Sequence, residues 1–436
     1  MTTRQQAPWA NRGWTVVIAA LTINLILGVL YAWGVTGKAL VGQWGWTKAQ
    51  AALPFTVSSA SFALTMIFAG RLQDRIGPRF VAMFGGIILG SGLVASSFVR
   101  TPEMMLVTFG IIGGIGIGLG YSATTPPCIK WFPPEKKGLI TGLVVSGVGL
   151  AAVYMSPLTN YLISTTSIER TFLLLGFGAI VLVAALAQLL SNPPAGFALR
   201  TTAAAGGQVV AKPGRAKPDL DWSDMLRSRQ FYQLWIMFVL AASAGLMVIM
   251  HVAIIAKEQA HLDKWGYLSI AVLAIFNTGG RVVSGFLSDR IGRKRTMILA
   301  FVLQALNMFA FSYYSTPSLL MFGSAFTGLC YGTIFTLFPA TTADFYGVRN
   351  LGVNYGLVFS AFGVAGVTGP YLAGKIRDAS GSYHNAFLVC AIMLLVGAVL
   401  ALVLSPPTAG AMLENSDLTD QKRKEQSNAP EFVSKY

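Results

Sequence analysis

One cation interrupts a long apolar run. In the segment 271–295 (AVLAIFNTGGRVVSGFLSDRIGRKR), Arg281 stands alone among uncharged residues until Asp289 and the basic turn after it. Eight positions at a helical rise of ~1.5 Å put Arg281 roughly 12 Å inside the polar end, near the middle of a hydrocarbon layer about 30 Å thick. A buried Arg costs on the order of 2.5–3.5 kcal/mol to insert, so it faces a protein cavity and marks a substrate or ion path. Its forked donors match a carboxylate, which makes Arg281 a candidate anion receptor. Asn277 lies four residues earlier on the same helical face, placed to orient the guanidinium or to touch the anion.

All 17 acidic residues fall in turns, tails or the ends of apolar runs, so no interior carboxylate is available to neutralise Arg281. One negative charge would leave the site neutral and two would leave an excess, which favours a monocarboxylate over a dicarboxylate. Carrying an anion into a negative compartment costs about 2.3 kcal/mol per 100 mV, and a proton is the simplest compensating charge. His251 and His384 are the histidines inside apolar runs, and histidine titrates near neutral pH. His251 is therefore expected near substrate or proton traffic, unless it is an interfacial histidine bonded to a neighbour or the proton rides on the substrate carboxyl.

The elements that must position these groups follow from composition. The chain has 436 residues, 54% hydrophobic and 11% charged, against roughly a quarter charged in a soluble domain. This is an all-α integral membrane protein. Its net charge of +15 sits in turns between apolar runs rather than in one solvated stripe, so no nucleic-acid partner is implied. Cys128, Cys330 and Cys390 are far apart inside apolar runs and imply neither disulfides nor a zinc site. The glycines at 110, 114 and 118 are followed by no Lys-Ser/Thr pair and read as helix-packing positions. No pattern for ATP use, metal binding or nucleophilic catalysis is present, so neither an enzyme nor a cofactor is expected.

Stretches free of Asp, Glu, Lys and Arg cover 14–37, 49–70, 80–99, 104–129, 138–168, 171–199, 230–256, 265–288 (broken by Arg281), 296–343, 350–374 and 379–413. Each is long enough for a spanning helix of ~20 residues. The run 296–343 holds two around a hinge at Ser312–Pro317, giving twelve spans. Residues 1–190 and 230–407 would then form two six-helix bundles. The stretch 191–229 would be a cytoplasmic linker ending in an interfacial helix near Asp221–Arg227, and 408–436 a disordered cytoplasmic tail. The first run has no small-residue cleavage site and reads as a retained span. With the N-terminus inside, cytoplasmic segments hold 23 Lys+Arg and outer turns 8, which places both termini in the cytoplasm of a bacterial-type inner (plasma) membrane. In the first run Asn24, Leu27 and Tyr31 share a face and are expected to wall a cavity.

The chain repeats itself. Gly70-Arg71-Leu72-Gln73-Asp74-Arg75-Ile76-Gly77-Pro78-Arg79 returns 215 residues later as Gly285-Phe286-Leu287-Ser288-Asp289-Arg290-Ile291-Gly292-Arg293-Lys294. Phe132–Gly142 (FPPEKKGLITG) returns 214 residues later as Tyr346–Gly356 (YGVRNLGVNYG). Two six-span halves of the same polarity are implied.

With these turns the sequence resembles the major facilitator superfamily over nearly all its length, Pro78 being a departure from the signature in the first copy. The resemblance implies two bundles that rock about a central site and expose it alternately to each side. It implies that the turns carrying Asp74, Arg75, Asp289 and Arg290 hold the cytoplasmic side shut, the alternative being that they only set topology. It also draws attention to Tyr121 in span four and Tyr331 in span ten as hydroxyl donors to a ligand. Lys130-Trp131-Phe132-Pro133 with Glu135–Gly142, and Phe276-Asn277-Thr278-Gly279-Gly280-Arg281, are similar to segments of monocarboxylate transporters and oxalate/formate exchangers. There the Arg binds carboxylate. Asn277 replaces an Asp of the mammalian monocarboxylate transporters, and Phe362 stands where the oxalate exchangers carry a Lys. The resulting expectation is a monomeric, proton-coupled symporter of small monocarboxylates such as L-lactate or pyruvate. The rivals are an oxalate/formate-type anion exchanger and a carboxylate sensor.

Overall fold

The computed structural model describes residues 8–194, 197, 219–260 and 266–407. The tail 408–436 and the basic tract of the linker lie outside the described residues. Among the described residues, twelve helices are long and apolar enough to cross a membrane. In the first half, spans 1–6 are Asn11–Trp44, Lys48–Ile76, Pro78–Ser96, Pro102–Lys130, Pro134–Thr165 and Ile168–Ala187. In the second half, spans 7–12 are Arg229–Val252, Leu268–Ile291, Arg293–Phe311, Pro317–Tyr346, Leu351–Ser380 and His384–Val403. No strand occurs among the described residues.

Span 1 runs past the expected end at Gly37 to Trp44, through a tight 3₁₀ turn at Gly28–Ala32. Lys38, which ended the charge-free run, is exposed on this helix, and one long cation near a span end can reach the polar layer. Span 4 contains a π-helical stretch, Leu106–Gly113. Spans 9 and 10 separate over residues 312–316, and the Thr316 hydroxyl accepts the Leu319 N–H to start span 10.

The packing repeats as the sequence does. Span 1 packs on 5, 2 on 4 and 3 on 6; correspondingly 7 packs on 11, 8 on 10 and 9 on 12. Two bundles result, joined along spans 5 and 8 and along spans 2 and 11. Both repeated turns pass through a glycine at positive φ, Gly77 at 89° and Gly292 at 93°, a conformation only glycine adopts without strain. A six-residue helix, Trp222–Arg227, precedes span 7 and is capped by Asp221. Just before it, Asp219 accepts the backbone N–H groups of Val348 and Arg349 in the connection between spans 10 and 11.

Candidate functional site

Arg281 lies inside span 8 with 1% of its surface exposed. Span 8 is gripped from both sides. A Cβ at Gly142 of span 5 would strike the Arg281 carbonyl, and one at Gly332 of span 10 would strike the Asn277 carbonyl. Thr336 of span 10 donates its hydroxyl to the Arg281 carbonyl at 2.9 Å. This close approach holds the Arg281 backbone still at the joint between the bundles.

The side chain is fixed as firmly. Its Nε donates to Asn277 Oδ1 at 3.3 Å, and Nη1 donates to the Val145 carbonyl of span 5 at 2.5 Å. The guanidinium carbon lies 4.6 Å from the centre of the Phe335 ring, in cation–π range. No ion pair among the described residues includes Arg281. Two of its five N–H donors are used by protein, which leaves three, the Nη2 pair among them, for a ligand. Asn277 is 3% exposed and does not border the cavity below, so here it orients the guanidinium.

Arg281 borders a cavity of about 330 Å³ between the bundles and, among the described residues, is the one charged residue in its wall. The cavity runs away from the repeated turns toward the opposite face, past Trp33 and Gly34 of span 1, Ala52 and Phe55 of span 2 and Met250 of span 7. Tyr121 and Tyr331 both line it. The Tyr121 hydroxyl is buried without a hydrogen bond. The Tyr331 ring packs where a Cβ at Gly245 would fall, so it is both a packing residue and a cavity wall.

Leu27 and Tyr31 reach the cavity as their spacing indicates, whereas Asn24 does not. Its amide donates to the Val144 carbonyl at 2.8 Å and its carbonyl oxygen accepts from Thr124, so it ties span 1 to spans 4 and 5. His251 is also placed elsewhere. Its Nε2 lies 3.2 Å from the Pro370 carbonyl and its Nδ1 3.0 Å from the Tyr383 hydroxyl, so it joins span 7 to span 11 and to the start of span 12 instead of facing the cavity. His384 is exposed at the start of span 12.

Tyr355, Phe335 and the Val145 carbonyl belong to the site although sequence reasoning did not single them out. The buried Tyr355 hydroxyl neighbours that of Tyr121 across the bundles, and neither makes a regular hydrogen bond.

Below this cavity the bundles meet through the repeated turns. Asp74 at the end of span 2 accepts the backbone N–H groups of Gly352 and Val353 at the start of span 11, at 3.3 and 3.0 Å. Asp289 at the end of span 8 accepts those of Gly138 and Leu139 at the start of span 5, at 2.9 and 2.8 Å. A carboxylate on a helix N-terminus is favoured by its unpaired donors and by the helix dipole. Arg75 and Arg290 take no part. Both are exposed, and Arg290 stacks on Phe286 of its own helix at 4.1 Å. The cation that joins the contact is Arg293, 2.6 Å from Asp289 and 3.1 Å from Asp344, and Lys137 reaches Asp344 from the other bundle at 3.2 Å.

Two related bundles, closed on one face around a cavity with a buried cation in its wall, define a membrane transporter and not an enzyme. The chain belongs to the Major Facilitator Superfamily, whose sequence signature matches residues 13–306 and 274–430. It is 30% identical over 356 residues to the uncharacterized MFS-type transporter YhjX of Escherichia coli K12, covering 81% of this chain and 86% of that one. It is 26% identical to the oxalate:formate antiporter of Oxalobacter formigenes (91% and 92% covered). It is 25% identical to monocarboxylate transporter 13 of Bos taurus (91% and 90% covered). Among solved structures it resembles the transporter FucP in the outward conformation, with a TM-score of 0.67 and 16% identity over 90% of this chain and all of that one. A likeness at that identity shows the fold.

Proposed function

We propose that this protein carries monocarboxylates across the membrane together with a proton, by alternating exposure of the cavity, with pyruvate and L-lactate as the small members of the substrate class. The observation that carries the reading is Arg281, a buried guanidinium with three open donors and no protein carboxylate beside it. One carboxylate supplies the missing charge through a bidentate, charge-assisted pair. A second substrate charge would find no second cation among the described residues of the wall. The relatives named for oxalate:formate and for monocarboxylate transport support an organic anion as cargo.

In this reading the bundles 1–190 and 230–407 rock about the Arg281 level, and the Asp74 and Asp289 contacts hold shut the face that the positive-inside asymmetry makes cytoplasmic. Tyr121 and Tyr331 offer hydroxyls to the ligand. Asn277 acts through Arg281. Both nitrogens of His251 already have neighbours outside the cavity, so this reading gives His251 no part in carrying the proton.

The similarity to an antiporter favours a second reading, obligatory anion exchange. Uptake of labelled pyruvate into proteoliposomes separates the two. Acidifying the outside should drive uptake into vesicles holding no anion substrate; uptake that needs an internal counter-anion and ignores the pH gradient would establish exchange instead.

A further inference from the structure

The wall facing Arg281 is built for an apolar tail. Phe62 of span 2 meets Phe359 of span 11 across the bundles, with ring centres 5.1 Å apart, and Phe359 stacks on Phe362 at 5.3 Å. Phe362 meets Phe335 at 5.7 Å, and Phe335 is the ring beneath the Arg281 guanidinium. Tyr121 closes the group, edge-on to Phe62 at 5.5 Å. All these residues border the cavity. From the anion receptor, an unbroken aromatic surface therefore leads away through Phe335 to Phe362, Phe359 and Phe62.

Size points the same way. A three-carbon acid occupies roughly 120 Å³, taken as four water volumes of ~30 Å³ each, whereas the cavity offers about 330 Å³. That lies in the range of about 300–1,000 Å³ that holds drug-sized ligands. Pyruvate bound at Arg281 would leave phenyl faces against water. A flat or branched apolar tail would cover them, and aromatic rings favour offset or edge contacts with a tail ring.

We infer that the preferred cargo is a monocarboxylate with a bulky apolar tail, aryl or branched alkyl, and that Phe62, Phe359 and Phe362 set this preference. The inference rests on the monocarboxylate reading of Arg281 and adds the identity of the tail. Since one methylene in an apolar pocket discriminates by on the order of tenfold or more, a phenyl group in place of hydrogen should exceed tenfold.

The test is displacement of labelled pyruvate from the purified protein by phenylpyruvate, 4-methyl-2-oxopentanoate, unlabelled pyruvate and the neutral analogue 2-phenylethanol. Phenylpyruvate should displace at a concentration at least ~tenfold below pyruvate, with 4-methyl-2-oxopentanoate between them and 2-phenylethanol inactive. Phe362→Ala should shrink the phenylpyruvate-to-pyruvate ratio to about threefold or less, and Phe362→Leu, which keeps an apolar side chain in place, should shrink it less. Saturable pyruvate binding with a ratio near one in the unmodified protein would overturn the inference and leave the monocarboxylate reading standing. No saturable carboxylate binding at all, or displacement by the neutral analogue as good as by phenylpyruvate, would overturn both.

Discussion

The two contacts that shut the bundles against each other share a skeleton and differ in their charges. In each, a carboxylate one turn before a positive-φ glycine sits on the second and third N–H groups of a helix in the other bundle. In each, glycine meets glycine: a Cβ on Gly352 would strike the Gly70 carbonyl, and one on Gly138 would meet the Gly285 carbonyl. Around that skeleton the residues diverge. Pro78 stands where the second copy has Arg293, and Lys130 stands where it has Asp344.

The second contact is therefore braced by an ion chain from Asp289 through Arg293 and Asp344 to Lys137 of the opposite bundle. The first has Lys130 within electrostatic reach of Asp74 and no ion pair of Asp74 among the described residues. What the two halves keep in common is the carboxylate on the helix end. In the proposed alternating cycle this contact would break when the bundles part, which would make it the switch and the ion chain the part that adjusts its strength.

Spin-label pairs across each contact, at Arg75 with Arg349 and at Glu135 with Arg290, would read the fraction of molecules closed on this face; these four positions are exposed. The largest change is expected for Asp289→Asn, which removes two charge-assisted hydrogen bonds and leaves Arg293 with one carboxylate partner, Asp344. Hydrogen bonds to a charged group are worth about 1.5–3 kcal/mol, so the closed-to-open ratio should fall by about tenfold or more. Asp74→Asn removes the same kind of hydrogen-bond pair but breaks no ion pair among the described residues, so it should move the ratio in the same direction by about 0.5–1 kcal/mol less. If Asp74→Asn proved the larger, the ion chain would have no strengthening role.

Arg293→Gln should bring the second contact toward the first, shifting closure by about 0.5–1 kcal/mol in low salt and less in high salt, because screening weakens the chain. Pro78→Arg tests the converse by supplying the missing cation, with a gain of a few tenths of a kcal/mol. Arg75→Gln and Arg290→Gln should stay within about 0.5 kcal/mol of the unmodified protein, as surface changes do.

The limits of the sequence follow the same lines. Twelve spans and their repeat were legible because a charge is rarely tolerated in hydrocarbon and because the two turns lie 215 residues apart. Asp74 and Asp289 were legible as members of those turns. Arg75 and Arg290 were expected to act beside them, but successive helical residues point about 100° apart and cannot both face the partner bundle. Arg293 lies only four residues after Asp289 but beyond the Gly292 turn, at the start of span 9, and its second partner, Asp344, is 51 residues away.

At the site, Arg281 announced itself as an isolated charge and Asn277 followed by helical spacing. Phe335 and Tyr355 are neutral residues in uniformly apolar runs, and nothing in one sequence separates them from core. His251 looked available because its neighbours, the Pro370 carbonyl and Tyr383, lie 119 and 132 positions away.

The central claim, that Arg281 is the receptor for a carboxylate, is tested most directly by equilibrium binding of labelled pyruvate to purified protein with Arg281 intact, replaced by Lys and replaced by Gln. The geometry predicts saturable binding to the unmodified protein and loss in both variants, since the Lys ammonium keeps the charge but cannot reproduce the bidentate fork or the contacts to Asn277 and Val145. Undiminished binding by Arg281→Gln would show that the anion is held elsewhere and would contradict the account.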